Sequence, residues 1–183
     1  MQCSYGSIWR KWDFHVHTPY SILNNNYGFN PFELTESDLE TEFDEYVKKL
    51  SKFAKLDIIE ISDEKIPDNA SASQINKIKE IESQRILNIL DKIGKSNTFL
   101  CDLAGKEYSS FELAKTIEHS FQTSSTLSFI IGGSLGVSDT LRKKADYNIC
   151  FSKLTFPHQL FRIFLVEQIY RSFKIINNET YHK

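Results

Sequence analysis

The chain has no apolar run approaching the roughly 20 residues of a membrane-spanning helix, which excludes such a span within it. It has only 3 cysteines, an odd number with no CxxC pair, which argues against a disulfide framework. Cys101 and Cys150 lie inside apolar runs, where reduced core thiols are expected. Internal repeats and low-complexity tracts are absent. The opening "MQCSYGSIWRKW" lacks the apolar centre of a signal peptide, and the expected location is cytoplasmic.

What is present is ordinary for a globular protein. The 183 residues suffice for one domain, or one domain with an appendage. Hydrophobic residues make up 40% and charged residues 25%. The net charge of −2 conceals an asymmetry. Residues 1–45 hold 2 Lys/Arg against 8 Asp/Glu, whereas 46–183 hold 20 against 16. The larger part is mildly basic, which permits an anionic partner such as RNA without requiring one.

From residue 56 onward, short apolar runs alternate with helical patterns. Strands are expected at 56–61 (LDIIEI), 98–103 (TFLCDL, ended by Gly105), 127–131 (LSFII) and 147–152 (YNICFS). Between them, helices are expected at 71–93, 109–121 and 138–145, with a last helix at 157–174. Ser71 or Ser73 can cap the first, and Ser109 or Ser110 the second. Strands that are continuously apolar and separated by helices imply an α/β fold, with a mostly parallel sheet covered on both faces. Upstream, residues 10–18 (RKWDFHVHT) alternate like a strand. Residues 34–54 read as a helix capped by Thr35, acidic first and basic last, as the helix dipole favours.

Ligands of open parallel sheets bind beyond the carboxyl ends of the strands. Two segments there carry suitable residues. "IIGGSLG" leaves its strand through two glycines, which allow close approach of a ligand or simply make a tight turn. "FSKLTFPH" offers backbone and hydroxyl groups for wrapping a flat ligand between Phe151 and Phe156, or is a plain connecting loop. Leu100, within a strand, reads by itself as core.

Taken together, "TFLCDLAGKEYSS", "FIIGGSLG" and "FSKLTFPHQLFRIFLVEQIYRSFKI…YHK" resemble the RlmH family in order, spacing and wording, over about residues 46–183. The resemblance implies a SPOUT-class methyltransferase domain with an α/β trefoil knot. It implies S-adenosylmethionine as cofactor and N3 of a pseudouridine in 23S ribosomal RNA of the large subunit as target. It further implies a homodimer and no metal. By the same resemblance the cofactor is contacted by Leu100, Gly132 and the run Phe151, Ser152, Lys153, Leu154, Thr155 and Phe156. The apolar residues of the last helix cover too much of its circumference for a surface helix, so one side is expected to meet a second subunit.

Methyl transfer to a ring nitrogen needs in-line placement of the reactants and loss of the N3 proton. His158, Arg162, Tyr181, His182 and Lys183 are the polar groups expected to face the RNA. A histidine can take the proton, or a cation can stabilise the deprotonated base; the residues leave both open. Arg171 and Lys174 either contact phosphate or are solvated.

Residues 1–45 differ. "GSIWRKWDFHVHTPYSILNNNYGF" resembles the amino terminus of TrlF-like PHP-domain phosphoesterases, in which His-x-His supplies the first ligands of a metal cluster. His15 and His17 have that spacing. The other histidines are His119, His158 and His182, all within the RlmH-like part, so the remaining PHP ligands are missing. The expectation is a fusion: a PHP-like fragment over 1–45 that supplies a substitute first strand and helix, and a methyltransferase domain over 46–183. Two other classes are an inactive fusion that still binds cofactor and dimerises, and a metal-dependent phosphoesterase.

Overall fold

The computed structural model of the chain describes residues 36–181. The expected strand at 10–18, the cap Thr35, the pair His15 and His17, and the terminal His182 and Lys183 lie outside the described residues. The elements in order are α1 (Glu36–Leu50), α2 (Ala72–Ile93), β1 (Asn97–Glu107), α3 (Ser110–Ser120), β2 (Leu127–Ile131), α4 (Asp139–Lys144), β3 (Tyr147–Cys150) and α5 (His158–Ile176).

The three strands form one parallel sheet in the order β2-β1-β3. Register places Phe99 beside Phe129 and Tyr147, and their rings stack at 4.7 and 4.5 Å. The next residues, Leu100 and Ile130, turn to the opposite face, as the two-residue period of a strand demands. On the Phe99 face the sheet is covered by α3 and α5, through Leu113, Ile117 and Val166, and α1 packs on α5 through Leu50. On the Leu100 face, Ile86 of α2 and Leu141 of α4 close the core. Apolar strands flanked by helices therefore yield the α/β sandwich expected of them.

The caps follow the sequence closely. Ser71 and Ser109 each form a capping box, with Gln74 and Glu112 respectively. Ser138 caps α4 by accepting from the Leu141 N–H at 3.3 Å. These side chains satisfy first-turn N–H groups that have no partner within the helix.

Two expectations are corrected. Residues 56–61 form no strand: Leu56, Ile58 and Ile59 are 37%, 50% and 52% exposed, and β2 ends the sheet on its side. A short apolar run becomes a strand only where a neighbouring strand meets its backbone groups, and none of the described residues does so here. Second, Gly105 does not end β1. The strand pairs with β3 at Phe99–Cys101, shifts register, and pairs again at Lys106 and Glu107. A Cβ at Gly105 would come within 2.7–2.8 Å of the Asn148 and Ile149 backbone, so the return passes directly against β3. Much of the apolar circumference of α5 is covered by its own chain. Leu165, Val166 and Ile169 pack with Leu50, Phe43, Tyr46 and Val47 of α1, and Phe164, 37% exposed, is the most exposed large apolar side chain of α5.

Candidate functional site

Because all three strands run parallel, their carboxyl ends lie along one edge of the sheet. Three connections meet there: residues 102–105 in the register shift of β1, 132–138 after β2, and 151–157 after β3.

In the first connection, the Asp102 carboxylate accepts from the Ala104 N–H at 3.3 Å and pairs with Arg142 of α4, which also reaches Asp139 at 2.6 Å. Burial works to raise the Asp102 carboxyl. The Arg142 hydrogen bond and charge, with N–H bonds from Ala104 and Leu103, outweigh it and hold the group below its ordinary value. Cys101, just before, is nearly covered, and burial pushes its thiol up to about 12. It is a reduced core group, as expected.

The second connection is the glycine turn. A Cβ at Gly132 would lie 2.7 Å from Val137 Cγ1, and one at Gly133 would lie 2.9 Å from Glu82 Oε2. The Gly133 carbonyl accepts from the Gly136 N–H at 2.9 Å, and Gly136 takes a φ of +81°, which suits only glycine well. The turn is thus tight and also close to its neighbours.

In the third connection, the Ser152 carbonyl accepts from the Cys150 thiol at 3.2 Å, and Ser152 Oγ accepts from the Leu154 N–H at 3.0 Å. Lys153 Nζ donates to the Leu103 carbonyl at 3.2 Å, which ties this loop to the first. Leu103 and Leu154 are 49% and 71% exposed, so two apolar side chains flank the tie rather than entering the core. Thr155 is exposed as well. Phe151 stands edge-on to Phe161 at 5.1 Å, and Phe156 edge-on to Phe164 at 5.4 Å.

Phe151 and Phe156 also face a cavity of about 250 Å³ beside α5, with Tyr108, Leu113, Phe164 and Glu167 among its walls. Leu100 and Gly132 are not among them. Leu100 is fully buried against Ile86, Ile130 and Leu141, so its side chain belongs to the core and only its backbone faces the neighbouring strands.

The polar candidates divide into two groups. His158, exposed, begins α5 directly after Phe156-Pro157. Arg162 follows one turn later, with Nη1 donating to Gln159 Oε1 at 3.1 Å and lying 3.4 Å from Glu60, and with its guanidinium 4.6 Å from the Phe43 ring centre. Tyr181 sits instead against the middle of α5. Its hydroxyl donates to Glu167 Oε1 at 3.1 Å, and its ring meets Tyr170 edge-on at 5.0 Å. Glu167 lies about 13 Å along the helix from His158 at the usual rise per residue. Burial first, then the Tyr46 hydrogen bond and the Glu167 charge, push the Tyr181 phenol far above its ordinary value. It stays neutral and cannot act as a base near pH 7. Arg171 pairs with Glu167 and Lys174 with Glu179, so both cations already have carboxylate partners.

Sequence reading alone did not single out Glu82, Ser83, Asp102 or Arg142. For Ser83 a signal exists: it falls three residues before Ile86 on the apolar stripe of α2, and a polar residue on such a stripe implies a buried partner. That partner is the Ser138 N–H, which donates to Ser83 Oγ at 2.9 Å. Among the described residues, no group of three or more His, Cys, Asp or Glu is placed to hold a metal ion, and no helix is long and apolar enough to cross a membrane.

The family model described as a predicted SPOUT methyltransferase matches residues 33–182. The chain is 49% identical over 153 residues to the ribosomal RNA large subunit methyltransferase H 1 of Clostridium perfringens strain SM101, covering 82% of this chain and 94% of that protein. It is 49% identical over 154 residues to the ribosomal RNA large subunit methyltransferase H of Clostridium botulinum strain Alaska E43, and 48% identical to that of Clostridium kluyveri strain ATCC 8527, with the same coverage. A match over this much of the chain, to proteins covered over nearly their full length, decides the family. The chain belongs to the SPOUT methyltransferases.

Proposed function

We propose that the chain transfers a methyl group from S-adenosylmethionine to N3 of a pseudouridine in 23S ribosomal RNA of the large ribosomal subunit, in the cytoplasm and without a metal. The observation that carries the reading is the meeting of three connections at one sheet edge, with Gly132, Gly133 and Gly105 packed where side chains would collide. A flat, polar cofactor suits such a place: backbone groups of 102–105, 132–136 and 151–156 bind it, and Leu103 and Leu154 cover its apolar parts. The cofactor supplies a methyl group on a positively charged sulfur. As the N3–C bond forms, the S–C bond breaks and the N3 proton leaves.

The residues then take different parts. Gly132 and the run Phe151, Ser152, Lys153, Leu154, Thr155 and Phe156 hold the cofactor; Leu100 contributes through its backbone. His158, exposed beside Phe156, accepts the N3 proton. Arg162 helps to place the RNA after exchanging Glu60 for phosphate, and His182 completes the RNA surface. Tyr181 holds the tail against α5 as a neutral phenol. A second copy of the chain covers the open apolar start of α5, where Phe164 is exposed.

The test is methyl transfer from labelled S-adenosylmethionine to ribosomes lacking the modification. The native chain is expected to label large-subunit RNA. Gly132→Arg, which drives a long side chain into Val137, is expected to label none. A second reading has its own observation. Among the described residues the sheet stops at β2, and the apolar segment 56–61 is exposed. A fusion weakened in this way would bind cofactor yet leave the RNA unlabelled.

A further inference from the structure

The carboxyl-edge site contains a carboxylate that the reading above does not use. Glu82 lies in the middle of α2, half-buried, and turns toward the glycine turn. Its Oε1 accepts from the Glu64 N–H at 2.9 Å. That segment is held in turn by Arg85, whose Nη1 donates to the Ser62 carbonyl at 2.8 Å and which pairs with the Glu64 carboxylate. The Glu82 carboxylate is therefore oriented rather than swinging free. Its Oε2 lies 2.9 Å from where a Cβ of Gly133 would be, and among the described residues it has no hydrogen-bond partner. Next to it Ser83, 1% exposed, accepts from the Ser138 N–H at the far end of the same connection. Helix α2 thus touches the glycine connection at both ends, once through a neutral hydroxyl and once through an anion with a free acceptor oxygen.

We propose that Glu82 is a cofactor-binding residue, whose Oε2 accepts a hydrogen bond from the ribose hydroxyls or the ammonium group of the adenosyl cofactor seated against Gly133. The inference rests on the proposed methyltransferase reading and names a contact that reading lacks. A half-buried carboxylate oxygen keeps two acceptor lone pairs. The cofactor is positively charged and brings hydroxyl and ammonium donors, so the bond is charge-assisted. Gly133 fits the assignment because any side chain there would push the carboxylate aside.

Calorimetric titration of the full chain with S-adenosylmethionine, S-adenosylhomocysteine and methylthioadenosine tests it, using native protein, Glu82→Gln and Glu82→Ala. Glutamine keeps an oxygen for the Glu64 N–H, so the loop stays in place while the charge is lost. Glu82→Ala is expected to weaken S-adenosylmethionine binding by about ten- to a hundredfold, the usual effect of removing a hydrogen bond to a charged group. Glu82→Gln should fall between alanine and native, with a thermal midpoint close to native. A loss shared by methylthioadenosine, which has no ammonium, assigns the contact to the ribose; a loss confined to the other two ligands assigns it to the ammonium. Native-like affinity in both variants overturns the role of Glu82 alone. An affinity loss in alanine that glutamine restores fully, with a matching change in thermal midpoint, overturns it in favour of simple loop support. A native chain that binds none of the three ligands overturns the proposed cofactor, and the role of Glu82 with it.

Discussion

Single residues at the sheet edge show how much of the site is steric. Gly105 is glycine because β1 returns against the β3 backbone at 2.7–2.8 Å from a would-be Cβ, and backbone cannot step aside as a side chain can. Gly105→Ala is expected to lower stability by about 1–3 kcal/mol, the ordinary cost of overpacking, read as a shift in denaturant midpoint with an unchanged slope. Asp102 gives a pH signature. Its folded carboxyl titrates below the ordinary value of 3.8, so its contribution is present above that value and lost as pH falls through the lower folded one. Urea titrations of native protein and Asp102→Asn should differ by a constant amount above about pH 5 and converge in stronger acid. Tyr181→Phe should leave methyl transfer near native while losing about 1 kcal/mol of stability, since its neutral hydroxyl serves Glu167. A large fall in transfer with unchanged stability would instead place that phenol at the reaction. The glycines and the Ser-Lys-Leu-Thr-Phe-Pro-His run could be proposed from the sequence because their wording is unusual. Glu82 and Asp102 were not, because a surface carboxylate and a site carboxylate look alike until the chain is folded.

At the level of elements, periodicity and caps were read well. Ser71 and Ser109 cap as expected, where a hydroxyl meets free N–H groups, and Ser138, not named from the sequence, does the same; such local chemistry needs no distant partner. The run LDIIEI was read as a strand and is not one, because a strand needs a neighbour whose position no local pattern records. Amide hydrogen exchange should therefore find 99–101, paired on both sides, among the slowest amides and 56–61 among the fastest. Slow exchange at 56–61 would mean that another strand pairs there in solution. Helix α2 is held to the glycine connection by one buried hydrogen bond, so Ser83→Ala should cost about 1–3 kcal/mol by leaving the Ser138 N–H unsatisfied.

For the molecule as a whole, the sequence by itself determined the α/β class and the order of strands and helices after residue 97, and it pointed to the carboxyl ends for the proposed site. Those follow from local periodicity, and from the rule that parallel strands put all their carboxyl ends on one edge. The wording of the last segments carried the family as well. Only the tertiary structure decided which apolar run pairs and which stays exposed, that α1 and the sheet cover much of α5, and that Tyr181 is spent on Glu167 while His158 stands open. It alone brought the Glu82 carboxylate to Gly133, residues far apart in the chain. The physical reason is the same in each case: burial, strand pairing and the orientation of a charge depend on distant neighbours, which a sequence contains but does not place.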